Sequence, residues 1–303
     1  MPRQTEAVRA DRTVSQWAVI FLSVIAVILL LGANFSLWLN NYLFNRETFV
    51  TTSVEVFQKP AVRNAVGAEI VDQLFGDLPV VRQVVGEPVK GVISGFIASP
   101  TAKPLLRPVA EQANILLTAK EPQGIAFDIS SVDNLLKPVF RILRREFSRT
   151  ISLKKLPKKI VLLKKGEVPS IYRWGIVWLW AGPVFGLMGL GLIIGLVWRA
   201  GAEGRPRVLR TTGVVLALAS LIFIFLAKAI KAPVLASISG SNVRIIADNI
   251  FDVFAGRLTM QTWFLVLVGA LMTAAGFFLP RAGQTAAAKK LREFTRRSLG
   301  KAA

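Results

Sequence analysis

The chain of 303 residues has no cysteine and no histidine, and its acidic residues are few: 18 Asp+Glu stand against 38 Lys+Arg, for a formal net charge of +20. These absences exclude whole classes of chemistry. There is no zinc or haem site of the usual kind, no Ser/His/Asp or Cys/His triad, no phosphohistidine relay and no disulfide framework. A metal would have to be a hard cation held by carboxylates, and no cofactor is expected. What the chain does have is apolar sequence. Hydrophobic residues make up 53% and charged residues 18%, the mean hydropathy is +0.51, and the apolar residues are bunched in long runs. That is too apolar for an ordinary soluble domain and predicts an integral membrane protein.

Four runs are long enough to span. Trp17 to Leu39 carries no charge and, as a helix rising 1.5 Å per residue, is about 35 Å long, against a hydrocarbon core of roughly 30 Å. Its length, and the lack of a clean small-x-small cleavage site after it, favour an uncleaved signal anchor over a signal peptide. The second run, 174–198, is bounded by Arg173 and Arg199 and offers Trp174, Trp178, Trp180 and Trp198 to the interfacial belts. The third, 211–230, holds Lys228 near its end, where it can snorkel, and the fourth, 258–279, stops at Pro280-Arg281. Short basic flanks set orientation. The 1–16 tail (Arg3, Arg9, Arg12), the 199–210 hairpin (Arg199, Arg205, Arg207, Arg210) and the 280–303 tail are all basic. Both termini are therefore expected in the cytoplasm of a plasma-membrane protein, although the basic run before the second span argues the other way.

Residues 40–173 are expected to form a mostly helical extracytoplasmic domain. Paired apolar residues recur from Ala61/Val62 to Leu74/Phe75, with Pro60 suited to a first turn and Gly76 to the end. A second series runs from Val80 to Ile97 with a wide apolar face, and Pro100, Pro104 and Pro108 mark a break and restart. Ile125–Ile129 alternates like a strand, and Lys159–Leu163 is its expected partner in a short β-hairpin across a helix from Val132 to Phe147. In the 231–257 segment Val243, Ile246, Ile250 and Phe254 describe an amphipathic helix, with Ser241 as cap and Gly256 after it. The fold class is thus an all-α membrane protein, with four transmembrane helices and an outer domain between the first two.

The strongest candidate site is basic. Lys137, Arg141, Arg144, Arg145, Arg149, Lys154, Lys155, Lys158, Lys159, Lys164 and Lys165 face only Glu146 in the same stretch. Such a density attracts anions, and the polyanions outside a cell are phospholipid headgroups and envelope polymers. A solvated face that merely rests on headgroups is the plainer account, and nucleic acid is not expected on that side. In the second span Gly182/Gly186 and Gly191/Gly195 form Gly-xxx-Gly steps, with Gly189 between them. These glycines let helices approach closely. Packing within the chain against the fourth span, which has Gly269 and Gly276, is favoured over a homo-oligomer seam, which stays open.

Catalysis has little to stand on. The spans hold no ionisable residue beyond Lys228, which argues against ion-coupled transport. Ser152-Leu-Lys-Lys155 has Ser-x-x-Lys spacing, but Lys154, Lys158 and Lys159 make that spacing a product of composition, and no companion motif follows. Glu69 and Asp72 share a polar helix face where solvated charge is expected, and Asp128 and Asp133 suit the capping of the following helix. No catalytic residue is assigned. The tail from Thr285 to Ala303 suits a cytoplasmic helix resting on anionic lipid.

The order of features resembles a family of uncharacterised four-span membrane proteins of actinobacteria and related bacteria. The likeness rests on Asn41–Phe49 after the anchor, Pro60-Ala-Val-Arg-Asn-Ala-Val66, Val71-Asp-Gln-Leu74, and the segment from Ile125 through Leu136. It implies cytoplasmic termini and an exported domain, and it implies no activity. The basic 137–165 stretch departs from it. The leading expectation is a non-catalytic protein whose exported domain binds a protein partner or an anionic envelope or lipid component. The alternatives are a subunit coupling a cytoplasmic partner to the outer domain, similar to FtsX-like subunits in topology alone, and a lipid-handling protein using the Val80–Ile97 face.

Overall fold

The computed structural model of the chain describes residues 15–76, 79–118, 125–128, 159–163, 172–238 and 240–283. In order these are α1 (Gln16–Leu39), a π-helical turn (Asn40–Phe44), α2 (Arg46–Phe57), α3 (Pro60–Phe75), α4 (Pro79–Ala98), a 3-10 turn (Pro100–Ala102) and α5 (Lys103–Thr118). Strands β1 (Ile125–Asp128) and β2 (Lys159–Leu163) pair antiparallel. Helices α6 (Tyr172–Arg199), α7 (Gly201–Ala229), α8 (Lys231–Ala236) and α9 (Ser241–Gly283) follow. Four helices are long and apolar enough to cross a membrane, at Gln16–Phe44, Val177–Arg199, Gly204–Ala236 and Ser241–Phe278. The chain divides into two compact units, one of residues 1–34, 183–224 and 261–303, the other of residues 35–182 and 225–260.

The first unit is a helical bundle in which α1 touches three neighbours. Val19 packs with Leu196 of α6 and Val208 of α7, and the Gln16 side chain accepts a hydrogen bond from Arg207. Further along, the Ser23 and Thr212 hydroxyls share a hydrogen bond of 2.8 Å, and Asn34 Nδ2 donates to Thr262 Oγ1 of α9 at 3.0 Å. Gly189 of α6 lies against Ala26 and Leu30, and Gly186 against Ala33. These pairings run α6 and α9 antiparallel to α1, and α7 parallel to it. The start of α1, the α6–α7 turn and the end of α9 therefore share one end of the bundle. Gly201 makes that turn with φ 62, a left-handed conformation that a Cβ disfavours by roughly 1–2 kcal/mol.

In the second unit, Asn45 leaves the π-helical turn extended and caps α2 by accepting from the Thr48 N–H at 3.1 Å. Pro60 opens α3, where its missing N–H is no loss. The core between α3 and α4 is Val71, Phe75, Val89, Ile93 and Ile97, with Val66, Ile70, Val92 and Leu106 around it. Helix α5 is tied to the chain leaving α1 by Asn114 Nδ2 to the Leu43 carbonyl at 2.7 Å, and to α2 by Arg46–Glu111 at 2.5 Å and Arg107–Glu47. The Glu47 hydrogen bond and charge raise the Arg107 pKa above its ordinary value. The first half of α9 packs on the same unit: Phe254 meets Phe49, its carbonyl accepts from Trp38 Nε1 at 2.9 Å, and Arg257 pairs with Glu55 at 3.3 Å.

The structure differs from the sequence-based expectation in three places. Residues 199–210 form no extended hairpin loop: α7 begins at Gly201 and runs through Pro206, because the bundle packs Val208 and Thr212 from its first turns onward. Gly256 does not end a helix. It lies inside α9, which runs unbroken from Ser241 to Gly283, since an interior glycine costs only about 1 kcal/mol and buried Phe254 and Leu258 flank it. Pro104 and Pro108 likewise lie inside α5, so the proline break is confined to residues 99–102.

Candidate functional site

The basic stretch falls almost entirely outside the described residues. Lys137, Arg141, Arg144, Arg145, Arg149, Ser152, Lys154, Lys155, Lys158, Lys164 and Lys165 lie outside them, as do Asp133, the expected helix from Val132 to Phe147, and the tail beyond Gly283. Lys159 is described as the first residue of β2, opposite Asp128 of β1. Asp128 is thus a strand residue.

The glycines of the second span divide. Gly191 and Gly195 face open space, whereas a Cβ at Gly189 would lie 3.0 Å from the Ala26 carbonyl oxygen and one at Gly186 would lie 3.7 Å from the Ala33 Cβ. Gly182 is buried. The close partner of Gly186 and Gly189 is α1, and the glycines of the fourth span meet α7 instead. A Cβ at Gly269 would stand 2.7 Å from the Gly213 O and Ala217 N, one at Gly276 2.6 Å from the Pro206 O, and one at Gly213 2.6 Å from the Gly269 O. The expected packing of the second span on the fourth is replaced by two separate seams. The reason is rotational: Gly-xxx-Gly spacing guarantees a smooth helix face, and the direction of that face depends on every other contact of the helix.

Sequence reasoning missed the polar groups inside the bundle. Ser23 and Thr212 are fully buried and bonded to each other. Thr262 is also fully buried, and the Asn34 carbonyl accepts from Gln261 Nε2 at 3.3 Å. Ser220 is buried, and its hydroxyl has no partner among the described residues. A signal was present in the chain: Ser23 and Asn34 are eleven residues apart, about three helical turns, and so share a face. All these groups are neutral, so they join helices and carry no charge.

Glu69, Asp72, Asp248 and Asp252 are engaged. Asn242 Nδ2 donates to Glu69 and Asp72 at 3.5 and 3.4 Å, and Arg82 pairs with Asp72 at 2.5 Å. Lys231 bridges Asp248 at 2.7 Å and Asp252 at 2.5 Å, joining α8 to α9. Among the described residues no group of three or more acidic side chains is placed to hold a metal ion. On the apolar face of α4, Val89, Ile93 and Ile97 pack with Val71 and Phe75 of α3. No protein-family model, curated protein or solved structure matches the chain.

Proposed function

We propose that the chain is a non-catalytic plasma-membrane protein with cytoplasmic termini, whose exported domain of residues 40–173 binds a protein partner or an anionic envelope or lipid component. The four spans serve it as anchor and packing platform. The observation that carries this reading is the charge of the segment from Lys137 to Lys165, basic at every ionisable position except Glu146 and set between the first two of four apolar spans. The bundle supports the anchoring role, because its described interior polar groups are neutral and those of Ser23, Asn34, Thr212 and Thr262 bond across helices. It also brings the start of α1, the α6–α7 turn and the end of α9 to one end, as cytoplasmic termini require. The coupling-subunit alternative gains nothing from residues 199–210, whose Val208 is spent on packing inside the bundle.

Replacing Lys154, Lys155, Lys158 and Lys159 by Gln should weaken binding of the purified protein to anionic liposomes, and undiminished binding would remove the anionic-ligand claim for this segment. Topology is tested separately, with single cysteines at exposed Gly91 and Arg205 in this cysteine-free chain and a membrane-impermeant thiol reagent on intact cells. Labelling at 91 alone supports an exported domain. Labelling at 205 alone inverts the protein.

A further inference from the structure

The bundle end at the α6–α7 turn gathers four arginines around one acidic position, Glu203. Arg199 closes α6, and Arg205, Arg207 and Arg210 follow in the first three turns of α7. All four are exposed. The ion pairs among the described residues use Arg46, Arg82, Lys90, Arg107, Lys231 and Arg257, and none uses these four. Four exposed arginines against one acidic residue make this a net positive surface that attracts anions.

The surroundings say which anion. Trp17 and Trp198, each 79% exposed, sit at this same end, and exposed indoles at a span's end mark the level where hydrocarbon meets water. The Arg210 guanidinium lies over the Phe277 ring, 5.1 Å from its centroid, and Phe277 and Phe278 are themselves more than half exposed. Stacking fixes the guanidinium plane while leaving its N–H edges free for a planar, two-point contact with phosphate. A free anion gains nothing from the exposed aromatic rings beside it. A phospholipid supplies both parts in the right order, phosphate for the arginines and acyl chain for Phe277, Trp17 and Trp198.

We propose that this end of the bundle is a binding collar for anionic phospholipid headgroups, in which Arg199, Arg205 and Arg210 contact the phosphates and Phe277 holds the Arg210 guanidinium in position. The collar is separate from the basic 137–165 segment and stands whichever face of the membrane that segment occupies.

The test is native mass spectrometry of the full chain in detergent, titrated with phosphatidylglycerol, phosphatidylcholine or inorganic phosphate. Phosphatidylglycerol should be retained in preference to phosphatidylcholine. Arg205→Gln and Arg210→Gln should each weaken its retention about five-fold. Phe277→Leu, which keeps every charge, should weaken it about two- to five-fold, whereas Lys103→Gln in the other unit should change nothing. Arg205, exposed and away from the α9 contact, keeps the test valid should Arg210→Gln disturb folding. Equal retention of the two lipids, phosphatidylglycerol retention by Arg205→Gln and Arg210→Gln equal to that of the parent chain, or its displacement by millimolar inorganic phosphate would each overturn the proposal, the last by making the collar a site for free anions.

Discussion

Among the described glycines of the bundle, the tightest approach to a neighbouring backbone is between α7 and α9, and adding one methyl group there measures it. An alanine Cβ at residue 269 would stand 2.7 Å from the Gly213 O and Ala217 N, and 3.1 Å from the Ala217 Cβ. Carbon-to-oxygen contacts of this kind settle at roughly 3.3–3.6 Å, so the helices must part locally by about 0.6–0.9 Å. A gap of that size forfeits about a quarter to a half of the dispersion energy along the seam, and forced overpacking costs about 1–3 kcal/mol. Gly269→Ala should therefore unfold at a lower SDS fraction than the parent chain, by an amount equivalent to about 1–3 kcal/mol. Adding Gly213→Ala should cost less than the sum of the single changes, because one separation relieves both clashes. Gly191→Ala is the internal control: its Cβ enters open space, and the better helix former should leave the midpoint unchanged or raise it by up to about 1 kcal/mol. If Gly269→Ala matches or exceeds Gly191→Ala in stability, the close approach of α7 and α9 is wrong.

Two further predictions concern single contacts. A Cβ at Gly175 would collide with the Phe44 ring, so Gly175→Ala should lower the thermal midpoint, and Phe44→Ala in the same chain should restore part of the loss; a loss unaffected by Phe44→Ala would refute the contact. A double-mutant cycle of Ser23→Ala and Thr212→Val should give a coupling of about 0.6 kcal/mol, and at most about 1.7, while Ser220→Ala, which removes an unpartnered hydroxyl, should be neutral or stabilising in the same unfolding assay.

Hydropathy and punctuation alone were enough to place four runs long enough to span a membrane, and to start α3 at Pro60 and end it before Gly76. These are properties of a one-dimensional pattern: an apolar run of sufficient length must be helical in lipid because its backbone groups have no other partners, and proline and glycine act on the residues beside them. Partner choice is a different kind of quantity. Gly191 and Gly195 have the spacing of a packing motif and meet nothing, whereas Gly213 and Gly189, which no such step of the motif singled out or paired, lie against a neighbour's backbone. Ser23 and Thr212, 189 residues apart in the chain, find each other inside the bundle. Gly256 fits a helix end in sequence and is held within α9 by the packing of Phe254 and Leu258 on either side. Which face of a helix is inward, and whether a glycine stops it, depend on contacts with residues far away in sequence, whose energies exceed the local preference of about 1 kcal/mol. Only the tertiary structure decides them.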